Sequence, residues 1–358
     1  MRKRIKYTPL LSALTSMTSS KGVLGSPLGL TENERVMASC PSRFKIESPT
    51  VVALGSSRTA GSFNIALMTS LLREQLPNRG LVPFNAAVSA SGLVTEETVL
   101  RGLLATGRRP ELVLVEVAPE MLYPSNRWLQ VSRDMTWSNF FDVVGEAARV
   151  KSGARLFENR LLPIYALRFG IRRAVWNWMH ETLGRTPEKL DPLEPDVPYF
   201  VAGDLEPTPP APKMTDEWRR YQLRENQAPL NGFSPTGSGA RALVRIVALC
   251  DERRIPVLLV EAPACNAYRE ARAPAKQRYN AFLDDLLERH PAARYLDFCD
   301  AMPDVAFYDQ HHVNKFGCSL LCQRLARRDI PEALAAWEQE RSVRQGIAVR
   351  PIAGPPKR

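Results

Sequence analysis

The chain is poor in the residues that metal and redox chemistry require. Its 358 residues include four histidines (His180, His290, His311, His312) and six cysteines. Cys318 and Cys322, four apart on one helix face, could seed a metal site. No further thiol or imidazole pair stands at zinc-like spacing, so no metal is expected, and the cysteines read as buried free thiols. No run of about 18 apolar residues occurs, which excludes a transmembrane helix. After the basic start at residues 1–6, the apolar pieces are short and broken by Pro9, Ser12 and Thr15. A secretory leader would be longer and more apolar, so a cytoplasmic protein is the default expectation. The first glycine turn lacks both G-x-G-x-x-G and a phosphate-loop lysine, which argues against a nucleotide site. The net charge is +10, yet the basic residues are scattered and no nucleic-acid motif is present, so no nucleic acid is expected as partner.

What is there is a periodic α/β pattern with an irregular centre. With 44% hydrophobic and 24% charged residues, the chain can bury one large core. Short β-branched runs predict strands at residues 49–54, 81–88, 112–117, 255–260 and 294–298. Amphipathic spacing predicts helices at 59–76, 95–106, 237–253, 270–289 and 314–327. This order implies a three-layer α/β/α, flavodoxin-like domain over residues 46–335, with a mainly parallel five-stranded sheet. Residues 1–45 read as an irregular arm and residues 336–358 as a mobile tail. Residues 119–232 read as an insertion of helices and loops over one sheet end. They hold five of the six tryptophans and a basic stretch with Arg155, Arg160, Arg168, Arg172 and Arg173. That stretch could meet an anionic polymer or a membrane surface.

Two short motifs carry the chemistry. Gly55-Ser56-Ser57-Arg58 follows the first strand, and Asp309-Gln310-His311-His312 follows the last. Ligand crevices of open α/β sheets lie beyond the carboxyl ends of the strands, so the topology brings both motifs to one edge. A serine hydroxyl is a weak nucleophile until a base takes its proton. Ser57 is the candidate nucleophile, His312 the base and Asp309 the group that orients it. Ser56 reads as a structural turn residue, and His311 as a neighbour facing solvent or the insertion.

These motifs resemble the SGNH (GDSL-like) hydrolase family, in which an early Gly-Asp-Ser element carries the nucleophile and a late Asp-x-x-His element completes the triad. Here Ser56 stands where the family's aspartate does. The Gly-Ser-Ser variant is similar to uncharacterised bacterial SGNH-like proteins and to polysaccharide O-acetyltransferase-type members. The resemblance covers residues 50–118 and 236–328. It implies an acyl-serine mechanism without a cofactor, on a small-molecule or carbohydrate ester. It also implies oxyanion donors in a second block, where Asn85, Ala90 and Gly92 are candidates, and in a third block, where Glu120 replaces the usual asparagine. Asn126, Asn85 or a residue of the insertion could substitute for that donor. Arg58 is expected to pair either with a substrate carboxylate or with Glu120. Two alternatives stand beside the esterase: an O-acyltransferase to a polysaccharide, and a catalytically inactive module that binds glycan or protein.

Overall fold

The computed structural model describes residues 50–88, 91–107, 109–123, 220, 223–224 and 233–344. The arm expected at residues 1–45, nearly all of the insertion and the tail beyond residue 344 lie outside the described residues. Five strands form one sheet: β1 (Thr50–Leu54), β2 (Val82–Asn85), β3 (Leu112–Val117), β4 (Val257–Glu261) and β5 (Ala293–Asp297). They stand in the order β2-β1-β3-β4-β5, and every neighbouring pair is parallel. The fold is therefore the α/β class with a flavodoxin-like strand order, whose direction of winding changes between β1 and β3.

The helices are α1 (Ser57–Ser62), α2 (Ile65–Gln75), α3 (Leu93–Ala105), α4 (Ser238–Glu252), α5 (Asn266–Arg289), α6 (Lys315–Arg324) and α7 (Ile330–Arg344). Strand side chains alternate between the two faces, and the core divides accordingly. Val52, Leu54, Val113, Val115, Val257 and Leu259 pack with α3, α4 and α5. Val51, Ala53, Leu112, Leu114, Leu258 and Val260 pack with α2, α6 and α7. With both faces covered, β1, β3 and β4 must be apolar almost throughout, which is why they read as continuous hydrophobic runs. The same alternation places Glu116 on the second face and Glu261 on the first.

Two elements differ from the sequence reading. The helix predicted over 59–76 is two helices, because Asn64 caps a new start: its side chain accepts from the Leu67 N–H at 2.9 Å. The closing helix does not end at 327. A wider π-turn, Leu325–Asp329, leads into α7, which runs nine residues past the tail boundary expected at 335. Pro331 lacks a backbone donor, and a widened turn before it accommodates that loss. Ile330, Ala333 and Leu334 then bury against the second face. Among the described residues, no helix is long and apolar enough to cross a membrane.

Candidate active site

β1 delivers the nucleophile turn. Ser56 caps α1 and Ser57 is its first residue. Gly55 has no room for a side chain, since a Cβ there would lie 2.2 Å from Thr59 Oγ1 and 2.6 Å from Glu116 Oε2. The turn meets a loop from the far end of the chain. Ser57 Oγ lies 2.8 Å from His312 Nε2, across 255 residues of sequence. His312 Nδ1 lies 2.6 Å from Asp309 Oδ2. An ionised carboxylate only accepts, so Nδ1 carries the proton and Nε2 is left to accept from the serine hydroxyl. Asp309 Oδ1 also accepts from the backbone N–H groups of His311 (2.9 Å) and His312 (2.7 Å). Burial alone would raise the Asp309 pKa. The two histidines and these hydrogen bonds outweigh it and hold the carboxyl well below its ordinary range. The loop is closed by the Tyr308 N–H donating to the His312 carbonyl, and Tyr308 stacks on the His312 ring at 5.5 Å. Asn314 ends it by capping α6.

Behind Ser57 stands a buried carboxylate that sequence reasoning missed. Glu116, near the end of β3, accepts from the Ser56 N–H (2.9 Å), Ser56 Oγ (2.8 Å), Arg58 Nε (2.6 Å), the Thr59 N–H (3.2 Å) and Thr59 Oγ1 (2.6 Å). Burial works against its charge, but Arg58 and the Thr59 and Ser56 donors lower its pKa below the usual carboxylate value. A charge-bearing hydrogen-bond cluster of this kind fixes the turn from below. The available signal was a lone acid in the run Leu-Val-Leu-Val-Glu-Val, which has no reason to stand in a strand buried on both faces unless it is paired.

Further ion pairs extend from this clamp along the carboxyl edge of the sheet. Arg58 Nη1 binds Glu120 Oε1 at 2.7 Å, so the expected Arg58–Glu120 pairing is present. Arg272, on α5, binds the same oxygen at 2.6 Å and Glu261 at 3.3 Å. Lys276 then bridges Glu261 (2.8 Å) and Asp297 (2.9 Å), and the Tyr295 hydroxyl donates to Glu261. Glu120 is 1% exposed. Its burial favours the neutral acid, yet Arg272 and Arg58 hold its pKa down to about 2. Arg272, Glu261 and Lys276 were not foreseen either, because nothing in their local sequence names their partners.

The remaining expectations divide. Ser56 is a structural cap, as read. Asn85 is not free to serve as an oxyanion donor: its amide donates to the Phe63 carbonyl at 3.0 Å, and its oxygen accepts from the Ala87 N–H at 3.1 Å, so it holds the α1–α2 junction. Glu120 presents a neutralised carboxylate engaged with two guanidinium groups, not an amide donor. Gly92 caps α3 with open space beside its Cα. Ala90, Asn126 and the basic, tryptophan-rich stretch lie outside the described residues. His311 is half-buried, and the insertion that it was also expected to face lies outside the described residues. Its ring packs on Tyr268 at 5.1 Å and on His312 at 4.3 Å, and its Nδ1 is buried without a partner. Burial and the neighbouring His312 push its pKa down to about 3, so it is a neutral spacer behind the base.

Among the described residues, two groups have metal-ligand atoms within 4.8 Å of one another: Asp309 with His311 and His312, and Glu261 with Asp297 and Cys299. In the first, Asp309 Oδ2 is already bonded to the imidazole. In the second, the Lys276 ammonium lies between the carboxylates. A serine hydroxyl joined to an imidazole and a carboxylate in line is competent for nucleophilic acyl transfer.

No protein-family model matches the chain, and no curated protein matches it. Among solved structures it is similar to a catalytic mutant of the acetylxylan esterase Axe2 from Geobacillus stearothermophilus, at 12% identity and a TM-score of 0.37, over 80% of this chain and 96% of that one. It is also similar to LAE5, an alpha/beta hydrolase enzyme from the metagenome of Lake Arreo, Spain, at 12% identity and 0.36, over 81% and 96%. A mutant of the esterase AlinE4 aligns at 14% identity and 0.34, over 85% and 99%.

Proposed function

We propose that the protein is an SGNH-like serine esterase acting through an acyl-serine intermediate. The observation that carries this reading is the line from Ser57 Oγ to His312 Nε2 (2.8 Å) and from His312 Nδ1 to Asp309 Oδ2 (2.6 Å). Ser57 Oγ attacks the ester carbonyl while His312 takes its proton. Asp309 holds the imidazole in the tautomer with Nε2 free and stabilises the imidazolium. The tetrahedral intermediate collapses, His312 returns the proton to the leaving alkoxide, and an alcohol departs. Water then attacks the acyl-serine with His312 again as base, releasing the acid and restoring the hydroxyl. The Ser57 backbone N–H and a second-block backbone N–H, at Ala90 or Gly92, are the oxyanion donors that the resemblance implies. With Asn85 and Glu120 committed elsewhere, a third donor is missing from these positions. Loss of one donor slows such reactions by about 10²–10³-fold.

The substrate class is a small-molecule or carbohydrate ester. O-acyltransfer to a polysaccharide shares the acyl-serine half-reaction and differs in the second acceptor. The inactive-module alternative expects Ser57 and His312 beyond hydrogen-bond distance, which a 2.8 Å separation does not favour. Labelling with a fluorophosphonate probe tests the nucleophile: the wild type is expected to label and Ser57→Ala is expected not to. Equal labelling of the variant rejects Ser57. Acetate release from an aryl ester, with and without a polysaccharide acceptor, separates esterase from transferase.

A further inference from the structure

Cys318 and Cys322 take no part in the proposed acyl chemistry, yet they stand directly behind it. Both project from α6, the helix that follows the His312 loop. Their Sγ atoms donate to one acceptor, the Ser62 carbonyl, at 3.4 and 3.2 Å. Ser62 is the last residue of α1, whose first residue is Ser57. Cys322 is fully buried, while Cys318 is half-buried and offers an approach from outside. Both are free thiols.

Helix geometry puts the Cβ atoms of residues four apart about 5–6 Å from each other. A disulfide requires about 3.5–4.5 Å. The pair therefore does not close on itself without distorting α6, whereas a third atom bonded to both sulfurs fits the gap. Soft thiolate pairs select soft centres, and the hard-oxygen and imidazole ligands that other metals favour are not supplied by this helix face.

We propose that Cys318 and Cys322 form a two-sulfur binding site for a soft, thiophilic metal or metalloid centre. With a trivalent arsenical R–As(OH)₂, each thiol replaces one hydroxyl. Two As–S bonds form, two As–O bonds break, each thiol proton leaves in a water molecule, and no oxidation state changes. Cys318, half-buried where Cys322 is fully buried, is the sulfur open to the first bond.

The test is an intact-mass titration of the full chain with one equivalent of phenylarsine oxide. The expected result is a single phenylarsenic adduct that survives excess monothiol, is removed by 2,3-dimercaptopropanol, and maps to the peptide carrying Cys318 and Cys322. Cys318→Ser, at a half-buried position, is expected to fold as the wild type by circular dichroism and to lose the monothiol-resistant adduct. Cys322→Ser is expected to lose it as well. Absence of a resistant adduct in the wild type overturns the site. So does its persistence in folded Cys318→Ser, or its mapping to Cys265 or Cys299.

Discussion

The two halves of the candidate site are held by opposite means. The Ser57 turn rests on buried charge: Glu116 gathers five donors, and Arg58 ties the same turn to Glu120 and Arg272. The His312 loop rests on short-range bonds within residues 306–314, on the Asp309 carboxylate and on the cap at Asn314. The His312 side chain keeps 19% exposure, while Arg58 and Glu116 have 4% and 1%. Ser57 is itself half-buried, but the clamp that fixes its turn is set in low dielectric, where a complete charge pair is rigid and a broken one is costly. A base that must exchange protons is left near water.

Removing a carboxylate from either half should separate them. Asp309→Asn is expected to have the largest effect, lowering kcat by about 10⁴-fold on an aryl ester with little change in KM, because the imidazole loses its productive tautomer. The Ser57 turn should remain intact in that variant. Glu116→Ala should instead act on stability, by about 3–5 kcal/mol in urea unfolding, because it leaves the Arg58 guanidinium without one of its buried partners. Glu116→Gln keeps the shape and is expected to lose less. If Glu116→Ala unfolds at the wild-type urea midpoint, the clamp is not what holds the turn.

Acid–base behaviour sharpens the contrast. Asp309 has its pKa lowered on folding, so it contributes stability above its ordinary 3.8 and loses it as pH falls toward the folded value. Asp309→Asn should flatten that acid limb. Glu96, at the start of α3, goes the other way. Its burial, together with the charge of Glu116, raises its pKa well above the ordinary 4.5, and both its oxygens are buried without a partner. The neutral acid is the folded form, so this group favours folding below pH 4.5 and costs stability as pH rises toward the folded pKa. Glu96→Gln is expected to raise the urea midpoint at pH 8 and to leave it unchanged at pH 4. The smallest effect is expected on the surface, where Arg79 pairs with Glu338, itself 51% exposed. Glu338→Gln should change stability by less than about 1 kcal/mol, a loss that salt abolishes.

Much of this architecture was legible. The five apolar runs marked the strands because a sheet covered on both faces leaves little room for polar residues. The spacing of Asp309 and His312 was readable because three residues let a carboxylate reach both the backbone and the ring of its neighbour. The pairing of Arg58 with Glu120 was readable as a balance of charge. Asn85 misled, since an asparagine beside a motif gives no sign that a helix junction at Phe63 will claim its amide. Boundaries slipped where one side chain, Asn64, restarted a helix, and where a π-turn carried the chain past Pro331.

The order of residues, through hydrophobic period and capping side chains, was enough to determine the layers, the parallel sheet and the edge at which two distant motifs meet. Only the tertiary structure decided which charges lie against which. Ion pairs such as Arg272 with Glu120 join residues 152 positions apart, and no local preference specifies them. They form because packing removes water from the carboxyl edge of the sheet, and each carboxylate buried there must then find a cation or give up its charge.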